Sequence, residues 1–192
     1  MKVWQVAFTA ASLIASTAQA REFGSPGGFD IAASESAADE PNGGFCGMVE
    51  EWEGPGDTRL IVFRYLKEPD MVAVIIDNYN WSIKKDEEYK VQYHLADKYF
   101  DRTAVGTEDS IRKGMLSFFP AANFLALFAK SNNFKVTKDD MTVDSLSLKG
   151  SGLAVDGFNR CWTYLRADEA AKQRERDRYS HIPKDPFKKP TE

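Results

Sequence analysis

Along the 192-residue chain, hydrophobic positions recur with two different periods, and the change between them divides the sequence into strands and helices. The segment Arg59 to Leu66 (RLIVFRYL) predicts a strand, with Gly54, Pro55, Gly56 and Asp57 supplying the turn before it. Met71 to Asp77 (MVAVIID) is a continuous apolar run rich in Val and Ile, which predicts a second strand buried on both faces. The polar link Lys67-Glu68-Pro69-Asp70 joins the two as a hairpin. Tyr89, Val91, Tyr93 and Leu95 alternate with Lys90, Gln92 and His94, the period of a strand with one face on the core, so His94 falls on the polar face. Weaker strand patterns follow at Tyr99 to Val105 and Ser110 to Ser117. Short ones occupy Phe134 to Val136 and Val143 to Leu148, with Leu146 and Leu148 inward.

Two segments switch to the helical period. Ala121 to Lys130 (AANFLALFAK) follows Pro120, which suits a first helical turn because its missing N–H costs nothing there. Leu125, Phe128 and Ala129 share a face with Ala121 and Ala122, and Asn132-Asn133 ends the helix. Further on, GLAVDGFNRCWTYLRA places Leu153, Ala154, Gly157, Phe158, Cys161, Trp162 and Leu165 on one stripe, with Ser151 as the cap. Together these elements predict an α+β fold, an antiparallel β-sheet or half-barrel covered by two helices, between flexible N- and C-terminal tails.

The flanks have a different character. Residues 1–20 combine an early lysine, an apolar run from Val3 to Ala15, and small residues at Ala18 and Ala20, the features of a secretory signal peptide cleaved after Ala20. Residues 21–44, with five acids and one arginine among Gly, Ser and Pro, read as a flexible acidic leader. Residues 45–166 form the globular domain. Residues 167–192 are a charged helical extension followed by a disordered tail that includes Pro183, Pro186 and Pro190. No other apolar stretch approaches the ~18 residues of a spanning helix, which predicts a periplasmic or secreted protein with no transmembrane segment once mature.

Composition narrows the partners. With 43% hydrophobic and 12% aromatic residues the chain can bury a core. The net charge of −4 offers no attraction to phosphate backbones, so nucleic acid is excluded as a partner and a basic protein is favoured. In an oxidising compartment the two cysteines, Cys46 near the start of the patterned region and Cys161 near its end, predict one disulfide closing nearly the whole domain.

Candidate chemistry is sparse. There is no G-x-S-x-G elbow and no cysteine–histidine signature; the nearest approach is Gly150-Ser151-Gly152, where a serine follows a strand and opens a helix. Glu50-Glu51 and Glu87-Glu88 are adjacent in sequence and point to opposite faces of a strand, which predicts solvated edges. His94 and His181 make no H-x-x-x-H pair, the cysteines make no C-x-x-C, and Asp139-Asp140 with Asp144 lack calcium-loop spacing, so neither a metal nor any other cofactor is indicated. Tyr79-Asn80-Trp81, after a buried strand, clusters aromatics and an amide where they can stack on a sugar or a partner's side chain; the competing role for Trp81 is an inward plug at the end of the sheet.

The signal peptide, early cysteine, strand pairs and terminal helix carrying the second cysteine resemble small exported single-domain proteins of bacteria. Within that group Leu146-Ser147-Leu148-Lys149-Gly150 resembles the closing segment of the invasion-associated locus B family, whose members are secreted or periplasmic β-rich proteins. The chain departs from them in its few cysteines and mixed α/β ending, and no functional residue carries over. The resulting expectation is a non-catalytic interaction module of the bacterial envelope, of accessory, inhibitor or effector-neutralising type. The alternative is a small periplasmic hydrolase with a site built from distant carboxylates and Ser151.

Overall fold

The structure, a computed structural model, describes residues 20–35, 43–109 and 111–180. The signal-peptide segment up to residue 19 and the tail from His181 onward lie outside the described residues. Among the described residues ten strands form a single open sheet: β1 (Ala20–Glu22), β2 (Asp30–Ser34), β3 (Phe45–Trp52), β4 (Thr58–Tyr65), β5 (Met71–Asn78), β6 (Glu88–Leu95), β7 (Lys98–Asp109), β8 (Arg112–Pro120), β9 (Asn133–Lys138) and β10 (Met141–Ser147). Their spatial order is β1-β2-β3-β4-β5-β8-β7-β6-β9-β10. Every neighbouring pair is antiparallel. The two edge strands, β1 and β10, do not pair with each other, so the sheet is not a closed barrel.

The expected β4–β5 hairpin is present, with Arg59 opposite Asp77 and Val62 opposite Val74. β5 is buried on both faces, as its unbroken apolar run predicts. Its inward residues Val72, Val74 and Ile76 join the main core, while Ala73 and Ile75 join a second cluster with Ile61, Phe63, Tyr65 and Leu116 on the other face. In β6, Val91, Tyr93 and Leu95 are buried and His94 is half-exposed, its Nε2 3.2 Å from the Thr137 hydroxyl.

Both helices lie on the main-core side. α1 (Ala121–Phe128) buries Ala121, Phe124, Leu125 and Phe128. Ala122 is exposed because it lies off that arc, and Phe124 takes its place. Pro120 is not in the first turn; it ends β8 and stands at the helix N-cap. α2 (Ser151–Tyr179) buries Ala154, Val155, Phe158, Cys161, Trp162 and Leu165. Gly157 marks the margin of that arc and Leu153 falls beyond it, 63% exposed. Aromatic rings run through the core from Trp52 to Phe29 to Phe128 to Phe124, and on to Phe119 and Tyr93. The buried Tyr93 hydroxyl lies 2.8 Å from that of Ser117, so the two satisfy each other.

The segment read as a flexible leader departs most from expectation. Within residues 21–35 it contributes most of β1, which begins at Ala20 of the segment read as a signal peptide, a 3₁₀ turn at Pro26–Gly28, and β2, in which Ile31 and Ala33 are buried; its residues 36–42 lie outside the described residues. The apolar alternation there spans only five residues among Gly, Ser and Pro, too short to register against that composition, and the strand gains its stability from β3 on one side and α2 above. At Gly157 a β-carbon would come within 2.6 Å of both Ile31 Cδ1 and Pro26 Cγ, so the missing side chain is what lets helix and leader segment meet.

Cys46 on β3 and Cys161 on α2 are both fully buried and form the expected disulfide, with Cα atoms 6.1 Å apart and a separation of 115 positions in sequence. Ser151 does not cap α2. Gly150 stands at the boundary in a left-handed conformation (φ 95°), Ser151 is already helical, and its hydroxyl donates to the Ser131 carbonyl 3.4 Å away.

Candidate binding cleft

Where the β3–β4 turn, the chain after β5 and strand β10 converge, they enclose a cleft of about 450 Å³. Trp52 ends β3 and points to the core side, where its ring meets Phe29 edge-on at 6.0 Å. Trp81 follows β5 by three residues and packs its partly buried ring against the core. Both indoles line the cleft, with Glu53, Thr58, Asn78 and Asp144 as its polar wall.

A directional hydrogen-bond relay holds this wall together. The Asn78 side-chain amide donates to the Pro55 carbonyl at 3.0 Å and to the Thr58 hydroxyl oxygen at 2.9 Å. The Thr58 hydroxyl then donates to one carboxylate oxygen of Asp144, and the Ser145 backbone N–H donates to the other at 2.7 Å. The relay ties β4 to the far edge strand, residues 86 apart in sequence. The donors to Asp144 are neutral, so they fix the carboxylate in place without cancelling its charge. Among the described residues, no cation stands within ion-pair distance of Asp144 or Glu53.

The opposite face of the sheet handles its charges differently. Arg59 binds Asp77 through Nη2 at 2.7 Å and reaches Asp109 at 3.4 Å. Arg112, buried, donates to the Asp57 carbonyl at 2.8 Å, to Asp77 at 3.3 Å and to Glu51. Its guanidinium lies 3.8 Å from the centroid of the Tyr79 ring. This network neutralises its own acids and anchors the end of the sheet.

The expected Tyr79-Asn80-Trp81 group is therefore split. Tyr79 stacks on Arg112 on one face, the Asn80 backbone N–H donates to the Asn78 side chain at 2.7 Å, and Trp81 alone lines the cleft. The carboxylate pairs also divide. Glu51 pairs with Arg112, and Glu87 is held by Lys84 and Tyr89 at the surface. Glu50, expected at a solvated edge, points to the core side, where one of its oxygens has no hydrogen-bond partner among the described residues and burial raises its pKa to about 7. Ser151 is 2% exposed, and among the described residues neither an imidazole nor a carboxylate is hydrogen-bonded to it. Among those residues, too, no group of three or more His, Cys, Asp or Glu is placed to hold a metal ion.

No family model matches the chain, and no curated protein matches it. The crystal structure of invasion associated protein B from Bartonella henselae is similar in fold, with a TM-score of 0.52 at 11% identity, over 72% of this chain and 95% of that one. The likeness is one of fold and brings no site residue with it. Among the described residues no helix is long and apolar enough to cross a membrane.

Trp52, Glu53, Thr58, Asn78 and Asp144 were not legible as a group in the sequence. Their spacing follows no motif, because the curl of the sheet, rather than local order, brings β10 alongside the β3–β4 turn. The one signal available was Trp81 beside a buried strand.

Proposed function

We propose that the protein is an exported, non-catalytic interaction module of the bacterial envelope that engages a basic protein partner. The observation that carries this reading is the contrast between the two ends of its chemistry. The hydroxyl best placed by sequence for catalysis, that of Ser151, is buried against a backbone carbonyl, while the accessible concave surface carries two indoles and two carboxylates without cationic partners among the described residues. Rings and fixed polar groups in a concave site are the ingredients of recognition. The buried disulfide and the signal-like residues 1–20 support an oxidising, extracytoplasmic location.

The test uses the protein without its first twenty residues as bait in an envelope extract. A stoichiometric partner whose association slows with rising salt is the expected result. Recovery of no partner, or hydrolytic turnover that disappears in Ser151→Ala, would overturn the reading.

A further inference from the structure

We infer that the cleft between Trp52 and Trp81 receives an arginine side chain presented by the partner protein. The inference rests on the interaction-module reading and supplies its recognition chemistry. Charge complementarity is the first argument. The acids of the opposite sheet face, Glu51, Asp77 and Asp109, are each engaged by Arg59 or Arg112. Asp144 and Glu53 have no such partner among the described residues, and the cleft lining contains no lysine, arginine or histidine. A cation entering the cleft would find its counter-charges already in place, with Asp144 held by Thr58 and the Ser145 N–H and so needing no reorganisation.

The rings supply the second argument. Elsewhere the fold sets guanidinium groups over aromatic faces: Arg64 over Trp162 at 4.2 Å, Arg21 over Tyr164 at 4.1 Å and Arg112 over Tyr79 at 3.8 Å. Among the described residues no cation lies over Trp52 or Trp81. Arginine suits such a site better than lysine because its planar, weakly hydrated head stacks on indole while its N–H fork reaches a carboxylate. A neutral saccharide would use the rings and leave both negative charges uncompensated.

The experiment titrates the purified protein with a blocked Gly-Arg-Gly peptide, following tryptophan fluorescence and amide NMR shifts. Parallel titrations use the same peptide with citrulline, which keeps the shape and loses the charge, and a neutral trisaccharide. The expected result is saturable millimolar binding of the arginine peptide, with shifts confined to residues around Trp52, Trp81 and Ser145, and about tenfold weaker binding of the citrulline peptide. Asp144→Asn should weaken binding about tenfold, and Glu53→Gln about threefold. Glu53 is exposed in a turn, so its variant tests the charge even if Asp144→Asn perturbs the relay. Equal binding of the citrulline peptide, preferential binding of the trisaccharide, or no response to the arginine peptide would overturn the inference. A captured partner whose affinity is unchanged in Glu53→Gln would overturn this inference alone and leave the interaction module standing.

Discussion

Replacing Glu50 with glutamine tests how the inner face of β3 handles a charge. Glu50 lies on the core side of the strand with one carboxylate oxygen unpartnered among the described residues, and burial raises its pKa from 4.5 to about 7. At 1.36 kcal/mol per pKa unit the ceiling on this penalty is about 3 kcal/mol, and the solvent access the side chain retains reduces it to about 1–2 kcal/mol. Because the folded pKa exceeds the unfolded one, the native state binds the proton more tightly between these two values. Stability is therefore highest below the unfolded pKa, falls as pH rises from about 4.5 to 7, and levels off above. Glu50→Gln removes the titration at nearly constant volume, so its urea midpoint should lack this fall. Relative to its own offset in acid, the variant should gain about 1–2 kcal/mol by about pH 8. The difference in slope carries the test, since any packing cost of the amide is independent of pH. Parallel curves for the two proteins across that window would refute the placement of a strained carboxylate at Glu50, and a wild-type advantage that grows with pH would refute it more strongly.

Other substitutions address the scaffold. Reducing the Cys46–Cys161 bond, which spans 115 residues, should cost up to about 4–5 kcal/mol in the chain-entropy picture, measured as the shift in denaturation midpoint between oxidised and reduced protein. Gly150→Ala should cost about 2 kcal/mol or more, because φ is 95° and the new methyl would sit 2.5 Å from the Gly27 carbonyl oxygen; thermal unfolding reads this directly. Tyr93→Phe strands the buried Ser117 hydroxyl and should lower stability by about 1–2 kcal/mol, an effect that Tyr93→Phe combined with Ser117→Ala should partly restore.

Strong periodicity made much of this architecture readable in advance. The hairpin of β4 and β5, the alternation of β6 and the stripe of α2 with Cys161 on it all reflect patterns that a single segment carries by itself. What stayed hidden depends on partners distant in sequence. β2 is a strand because β3 and α2 lie beside it, and Ser151 is not a cap because Gly150 takes the left-handed boundary and the Ser131 carbonyl takes the hydroxyl. Glu50 and Glu51 look alike in the sequence and differ only once the sheet has two unlike sides, one covered by helices and one bearing the Arg59–Arg112 network. The cleft was hidden for the same reason, since Thr58 and Asp144 meet only through the curl of the sheet.

The packing of α2 onto β2, β3 and the 3₁₀ turn joins the two extremities of the described chain, and the disulfide seals the same junction. A nascent polypeptide that stops short of residue 150 lacks the helix that packs on β2, β3 and the 3₁₀ turn, however complete its middle strands are. The last cooperative step therefore waits until α2 has been made. Oxidation of Cys46 and Cys161 then makes that closure hard to reverse.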